Sequence, residues 1–333
     1  MNERNSYFDN AKFILILLVV FGHFIRSMIE DNYIMMNIYK FIYTFHMPAF
    51  ILISGFFAKG FNKQGYVKKI AKKLILPYFI FHGIYTVYYV LIKGDNLLHS
   101  IDPLNPHWSL WFLISLFFWN VMLIPFSKLN KLVALGLSFF IGIAAGYFDF
   151  ISNYLSLSRT LVFFPIFLIG FYLKKEHFAM MTKLPARSLG ASALLLTFVT
   201  YFYLPFEYEW LFGSMPYSAF GETDIFSGLV RLGFYFLTLI TTFGFFSLIP
   251  KKRQFFTEWG TRTFYVYLLH GFIIQSFRDS ELESWLTEIE SITVFAIVSI
   301  VVTFLLSSRF VKTIAQPIIE LRATMLKKIV KGL

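Results

Sequence analysis

The sequence contains no cysteine and few charged residues. Without a thiol, the chain has no disulfide, no thiolate metal ligand and no cysteine nucleophile. Only 15% of its 333 residues are charged, whereas 57% are hydrophobic, and the mean hydropathy is +0.64. No hydrophilic stretch is long enough to form a separate soluble domain. These features exclude a soluble globular protein and predict an integral membrane protein.

Apolar runs of about 20 residues recur along the whole chain, which is the length that an α-helix needs to cross a bilayer. We predict an all-α integral membrane protein with about ten transmembrane helices. The predicted spans are residues 11–29, 34–58, 73–93, 108–126, 132–149, 159–173, 188–204, 225–249, 263–278 and 291–308. They form one membrane domain, residues 1–311. An amphipathic cytoplasmic tail, residues 312–333, is expected to lie on the inner membrane surface.

The net charge of +11 is distributed unevenly along the chain. When the N-terminus is placed inside, alternate loops carry most of the lysines and arginines, and the opposite loops carry most of the acids. This is the positive-inside pattern, and it places both termini in the cytoplasm. Membrane topology and anionic lipids account for the basic charge, so no nucleic-acid partner is expected.

His23 is the most informative residue of the first span. Ionisable groups inside a membrane are costly and usually functional. Lys12 lies eleven residues earlier, almost three helical turns, so the two side chains share one face about 16 Å apart along the axis. Arg26 follows at i+3 on the same side. This arrangement suits a reaction at the far end of an anionic molecule that is bound at the inner surface.

Three further histidines, His46, His82 and His270, lie at similar depths in other spans. Each one alone is more often a hydrogen-bonded structural residue, and we interpret His82 in that way because no charged residue accompanies it. His46 precedes Met47-Pro48, where the proline removes a backbone hydrogen bond and is expected to kink the helix. A cavity beside His46 and a simple kink remain alternatives.

Basic residues near the ends of other spans have two interpretations. Lys69, Lys72 and Lys73 belong to a group of four lysines in six positions, which either marks topology or binds phosphate groups as compact cations. Arg159 lies near the outer surface. It either extends its charged end to the membrane surface or takes part in a functional site. Arg231 lies deeper and is expected to face a partner or a wet cavity.

The order of these motifs resembles the acyltransferase-3 family of bacterial membrane O-acyltransferases, in particular its branch of short sugar O-acetylases. The matching motifs, over nearly the whole chain, are Asp9-x-x-Lys12 with its spacing to His23, Phe45-His46-Met47-Pro48, Ile53-Ser54-Gly55-Phe56, Leu74-x-x-Pro77-Tyr78, Trp108-x-x-Trp111-Phe112-Leu113, Arg159, Phe164-Pro165-x-Phe167-x-x-Gly170, and Gly260-x-x-Thr263 leading to Tyr267-Leu268-Leu269-His270. The family often has arginine where this chain has Lys12, Lys72 and Lys73. Lysine keeps the charge but loses the bidentate phosphate contact.

The resemblance implies a multi-pass protein of the bacterial cell membrane that transfers an acetyl group. The implied donor is acetyl-CoA from the cytoplasm, the implied acceptor is a hydroxyl of a cell-surface or lipid-linked glycan, and no metal or prosthetic group is expected. In this interpretation His23 acts as a general base or first accepts the acyl group. The other implied site residues are Lys12, Lys69, Lys72 and Lys73 for the donor phosphates, and His46, His270, Arg26 and Arg159 around the reacting groups.

Two other classes of protein stay open at this stage. A multi-span glycan exporter would also carry polar groups in its spans, although the sequence repeats and paired intramembrane acids of many transporters are not evident. A haem protein could use histidine pairs within the membrane, but no predicted span carries two such histidines. An absorption spectrum of the purified protein distinguishes a haem protein from the other classes.

Overall fold

The computed structural model describes residues 6–94, 96, 101–221, 223–289 and 291–321. Within these ranges the chain is helical and has no strand, which confirms the all-α prediction. The α-helices of the described residues are α1 Ser6–Phe24, α2 Tyr33–Phe57, α3 Tyr66–Tyr88, α4 Trp111–Phe126, α5 Lys131–Ala144, α6 Leu157–Tyr172, α7 Lys175–Met181, α8 Leu184–Thr200, α9 Ile225–Leu248, α10 Thr263–Arg278, α11 Glu281–Ile289, α12 Ile292–Leu306 and α13 Arg309–Ile319.

Six helical segments of the described chain are long and apolar enough to cross a membrane. A seventh is added if α12 and α13, which are bent by 62° at their junction, form one span. Each of the ten predicted spans overlaps an α-helix. α5, α8 and α10 have only 14, 17 and 16 residues, fewer than the roughly 20 that a perpendicular crossing needs. α4 and α6 have 16 residues each, but a preceding 3₁₀ turn extends each helical segment to 19. The fold is that of a multi-pass membrane protein, while the count of ten and the cytoplasmic termini stay predictions.

The predicted cytoplasmic tail is described only in part. Its first residues belong to α13, which begins at Arg309 with Ser308 as its N-cap, because the Ser308 side chain accepts a hydrogen bond from the Val311 backbone. Residues 322–333 lie outside the described residues. The division into a membrane domain and a tail therefore stays a prediction.

The chain divides into two compact units, one formed by Met1–Ile42 and Ile249–Leu333 and the other by Tyr43–Leu248. In the first unit α1 packs against α10, α12 and the short turn Trp259–Thr261. Gly260 is required there, because a Cβ atom on it would lie 1.9 Å from the backbone oxygen of Asp9. The backbone of α1 therefore approaches the C-terminal part of the chain more closely than any side chain allows.

Asn10 fixes the first turns of α1 within this unit. Its Nδ2 donates to the carbonyl oxygens of Pro250 and Lys252, at 2.9 and 3.0 Å. The Thr257 hydroxyl donates to Asn10 Oδ1 at 2.6 Å. Because Asn10 is fully buried and each bond satisfies a buried polar atom, this network sets the position of α1 against the chain that precedes α10.

In the second unit, α2 and α6 cross at two glycines. A Cβ atom on Gly55 would lie 2.0 Å from the carbonyl oxygen of Phe167, and one on Gly170 would lie 2.1 Å from that of Leu52. Gly55 belongs to the Ile53-Ser54-Gly55-Phe56 motif, and these distances show that a glycine is needed at this position. Close approach of small residues is a common way to pack helices within a membrane.

Candidate functional site

Two of the predicted site residues meet inside the first unit. α1 is continuous from Ser6 to Phe24, so Lys12 and His23 lie on one helix as predicted. The ring of His23 faces that of His270 on α10, with centroids 5.5 Å apart and planes inclined by 35°. His270 is fully buried, whereas His23 is half-buried. A fixed imidazole therefore lies beside an accessible one.

A backbone hydrogen bond fixes the ring of His270. Its Nδ1 lies 2.9 Å from the carbonyl oxygen of Val266, one turn earlier in α10. A carbonyl oxygen only accepts, so Nδ1 carries the hydrogen, and in the neutral ring Nε2 then carries the lone pair. Both the tautomer and the orientation of His270 follow from this contact.

Arg278 holds the end of α1 at the level of His23. Its Nη2 donates to the backbone oxygen of His23 at 3.0 Å. The last carbonyls of a helix have no partner within that helix, and a cation there also complements the helix dipole. The rings of Phe24 and Phe277 pack edge to face beside this bond, 5.2 Å apart. No local pattern in the sequence marks Arg278, because its partner is distant in the chain.

The two cationic residues of the first unit that were predicted for the site, Lys12 and Arg26, have acidic partners on their own segment. Lys12 Nζ lies 2.7 Å from Asp9 Oδ1, and Arg26 Nη1 lies 3.2 Å from Glu30 Oε1. Asp9 is almost completely buried, so much of the Lys12 charge is already balanced by protein. Arg26 follows the end of α1, in a 3₁₀ turn over Ile25–Met28. The i,i+3 spacing of Asp9 and Lys12 is typical of such a pair, although the sequence motif indicated only the family resemblance.

His46 and Arg159 belong to the second unit. The buried His46 ring packs against the ring of Tyr43, with centroids 4.5 Å apart and planes at 75°. Arg159 donates to Asn153 Oδ1 at 3.0 Å, and its guanidinium carbon lies 5.0 Å from the ring centroid of Trp111. Both predicted site residues are therefore held by aromatic neighbours within their own unit.

The lysines predicted to bind phosphate are exposed on α3, also in the second unit. Lys69, Lys72 and Lys73 all point to solvent. In the described part of the chain none of them forms an ion pair, whereas Lys12 does. Their charge is thus available to an external anion.

Comparison with known proteins agrees with the sequence motifs. A family model described as "Acyltransferase domain", that of the acyltransferase-3 family, matches residues 5–308. The nodulation protein NolL of Sinorhizobium fredii is 28% identical over 144 residues, 39% of this chain and 39% of that protein. NolL of Mesorhizobium japonicum is 31% identical over 143 residues, 39% and 38% of the two chains. The chain thus spans about two fifths of the length of the curated relatives it matches, and no solved structure matches it significantly.

Proposed function

The chain belongs to the acyltransferase-3 family, whose model covers almost all of it, and from this premise we propose that it is a membrane O-acyltransferase. It moves an acetyl group from cytoplasmic acetyl-CoA to a hydroxyl of a cell-surface or lipid-linked glycan. In the transfer the C–S bond of the thioester breaks and an ester C–O bond forms. The hydroxyl proton leaves through a protein base and ends on the thiolate of coenzyme A.

The pairing of His23 with His270 is the observation that carries this proposal. An alcohol must lose its proton as it attacks the thioester, and a neutral imidazole is the side chain best suited to accept it. His23 is the half-buried member of the pair and is accessible to substrates, so it is the proposed base or acyl acceptor. His270 is buried and fixed by Val266, so it is the proposed positioning residue beside it.

The remaining site residues have proposed roles within their own units. In the second unit, exposed Lys69, Lys72 and Lys73 are proposed to bind the phosphates of the donor as compact cations. Lys12 is proposed to contribute less, because Asp9 already balances its charge. His46 and Arg159 in the second unit and Arg26 in the first are proposed to stabilise negative charge that develops during the transfer.

Glycan analysis of a deletion strain tests the proposal. The strain is complemented with the wild-type gene, with His23→Ala, or with the control His177→Ala, which removes a histidine that caps α7 in the second unit. Mass spectrometry of surface and lipid-linked glycans should detect added acetyl groups with wild type and His177→Ala. They should be missing with His23→Ala at equal protein abundance. Identical glycans in the deletion and complemented strains would contradict the proposed function.

A further inference from the structure

Arg231 is a buried cation on α9. It lies six residues after Ile225, the first residue of the helix, which is about 9 Å along the axis, and only 4% of its surface is exposed. Its Nη1 donates to the carbonyl oxygen of Trp210 at 2.7 Å. The guanidinium carbon lies 5.0 Å from the ring centroid of Trp210 and 6.0 Å from that of Tyr217. Arg231 therefore joins α9 to the segment before it.

These contacts leave the charge of Arg231 unbalanced. A guanidinium is always protonated and has five N–H donors. The Trp210 carbonyl accepts one of them, and the neutral Tyr217 side chain is within hydrogen-bonding reach of another. Its Nε is buried and has no hydrogen-bond partner in the described part of the second unit. No carboxylate among the described residues forms an ion pair with it either. Because a buried charge is costly unless it is paired, this arrangement calls for an anion.

A small cavity adjoins the guanidinium. It has a volume of about 20 Å³ and is lined by Arg231, Trp210, Thr238, Tyr235 and Val162, among others. The Tyr235 hydroxyl is already engaged, since it donates to the Val162 carbonyl at 2.6 Å. A cavity of this size holds about one water-sized atom. It therefore has room for a halide ion or for one oxygen of a larger anion such as a carboxylate.

We propose that this cavity binds a small monovalent anion that balances the charge of Arg231. The anion is either a free ion, such as chloride, or the carboxylate tip of an acidic sugar. Its binding would strengthen the attachment of the segment that carries Trp210 and Tyr217 to α9, because that segment reaches the guanidinium through both residues. The site requires no acyl donor, so its test is independent of the transfer reaction.

Thermal unfolding of the purified protein in detergent tests the site. At constant ionic strength, sodium methanesulfonate, whose charge is spread over three oxygens, is replaced stepwise by sodium chloride, bromide or formate. A ligand that binds only the folded protein raises Tm, so a saturable rise is expected with the three small anions. A separate titration compares glucuronate with glucose. A rise with glucuronate identifies an acidic sugar as the natural source, and a rise with the small anions alone identifies a free ion.

Three variants assign the effect to this cavity. Arg231→Met should raise the half-saturating anion concentration by at least about tenfold, the effect of losing a charge-assisted hydrogen bond. Val162→Ile fills the cavity while keeping the cation and should weaken binding similarly, which covers the case in which Arg231→Met does not fold. Arg187→Met removes an exposed guanidinium and should respond like wild type. The site is ruled out by an equal wild-type Tm in all salts, or by an undiminished rise in whichever cavity variant folds.

Discussion

The centroids of the imidazole rings of His23 and His270 lie 5.5 Å apart, on helices from opposite ends of the chain. α1 is fixed on both sides of this contact, by Asn10 near its start and by Arg278 at the backbone of His23. The ring of His270 is fixed by Val266. The position of His23 therefore depends on contacts with the C-terminal part of the first unit.

The variant His270→Asn keeps a donor for the Val266 carbonyl oxygen but removes the imidazole ring. The asparagine amide nitrogen takes the place of Nδ1 and can still donate to Val266, so Tm should change little. Transfer should fall by at least about tenfold, because the group beside His23 is lost. The measurement is the rate of acetyl transfer by protein of verified Tm.

Combining this change with His23→Ala tests whether the two histidines act as one unit. Residues that act together are strongly non-additive, so the double variant should be about as slow as His23→Ala alone. A double variant whose loss equals the product of the two single losses would show that the histidines act independently.

Gly260→Ala tests the close approach of the chain to α1. A Cβ atom at this position meets the backbone oxygen of Asp9 at 1.9 Å, so the variant should lose about 1–3 kcal/mol of stability, as overpacked sites do. The matched control is Gly136→Ala in α5, where a Cβ atom meets nothing within 4 Å. That change should leave stability unchanged or increase it. Equal Tm values for the two variants would contradict the close contact.

The sequence predicted the features that depend on one helix at a time. The helical period places Lys12 and His23 on one face, and α1 is continuous over both. By contrast, the contacts of His270 with His23 and of Arg278 with α1 join residues that are distant along the chain, and no local pattern encodes them.

Every span that hydropathy predicted contains an α-helix, but hydropathy did not determine where each helix begins and ends. α5 ends at Ala144, where a 3₁₀ turn over Ala145–Tyr147 follows. α8 begins at Leu184 and ends at Thr200, four residues before the predicted span 188–204 at both ends. By contrast, α10 has the bounds of the predicted span 263–278. Helix ends are set by turns and tertiary contacts, which a hydropathy window does not register.

Glu258 provides a pH-dependent contact at the start of α13, which begins at Arg309. Its carboxylate accepts hydrogen bonds from Arg309, at 2.7 Å, and from Arg262. The Arg309 bond is the main cause that holds the pKa of Glu258 below the usual value of 4.5, against a smaller opposing effect of burial. A lowered pKa means that the stabilisation is complete above pH 4.5 and is lost as the pH falls through the lowered value.

The measurement is Tm from pH 7 down to pH 3 for wild type, Glu258→Gln and the control Glu207→Gln. The Tm advantage of wild type over Glu258→Gln should be largest at neutral pH and should shrink below pH 4.5. Glu207 is exposed, and its variant should follow wild type throughout. An advantage that stays constant or grows in acid would contradict the role of the carboxylate.

Replacing Lys72 and Lys73 by glutamine tests the proposed donor site. The loss of two exposed cations should raise the KM for acetyl-CoA roughly threefold to tenfold. It should also reduce the salt dependence of KM, since salt screens exposed charges. Lys128→Gln, a change at another exposed lysine, is the control. Orientation must be verified, because basic loops direct membrane insertion. An unchanged KM in correctly oriented protein would show that these lysines determine membrane topology and do not bind the donor.

The most direct measurement of the role of His23 is the rate of acetyl transfer by the purified His23→Ala protein, with labelled acetyl-CoA and a glycan acceptor. His23 is half-buried, so the variant should insert, purify and unfold like wild type. Its transfer rate should fall by about a hundredfold or more, the scale of lost acid–base catalysis, while His177→Ala keeps the wild-type rate. Near-normal turnover by well-folded His23→Ala protein would contradict the proposed mechanism.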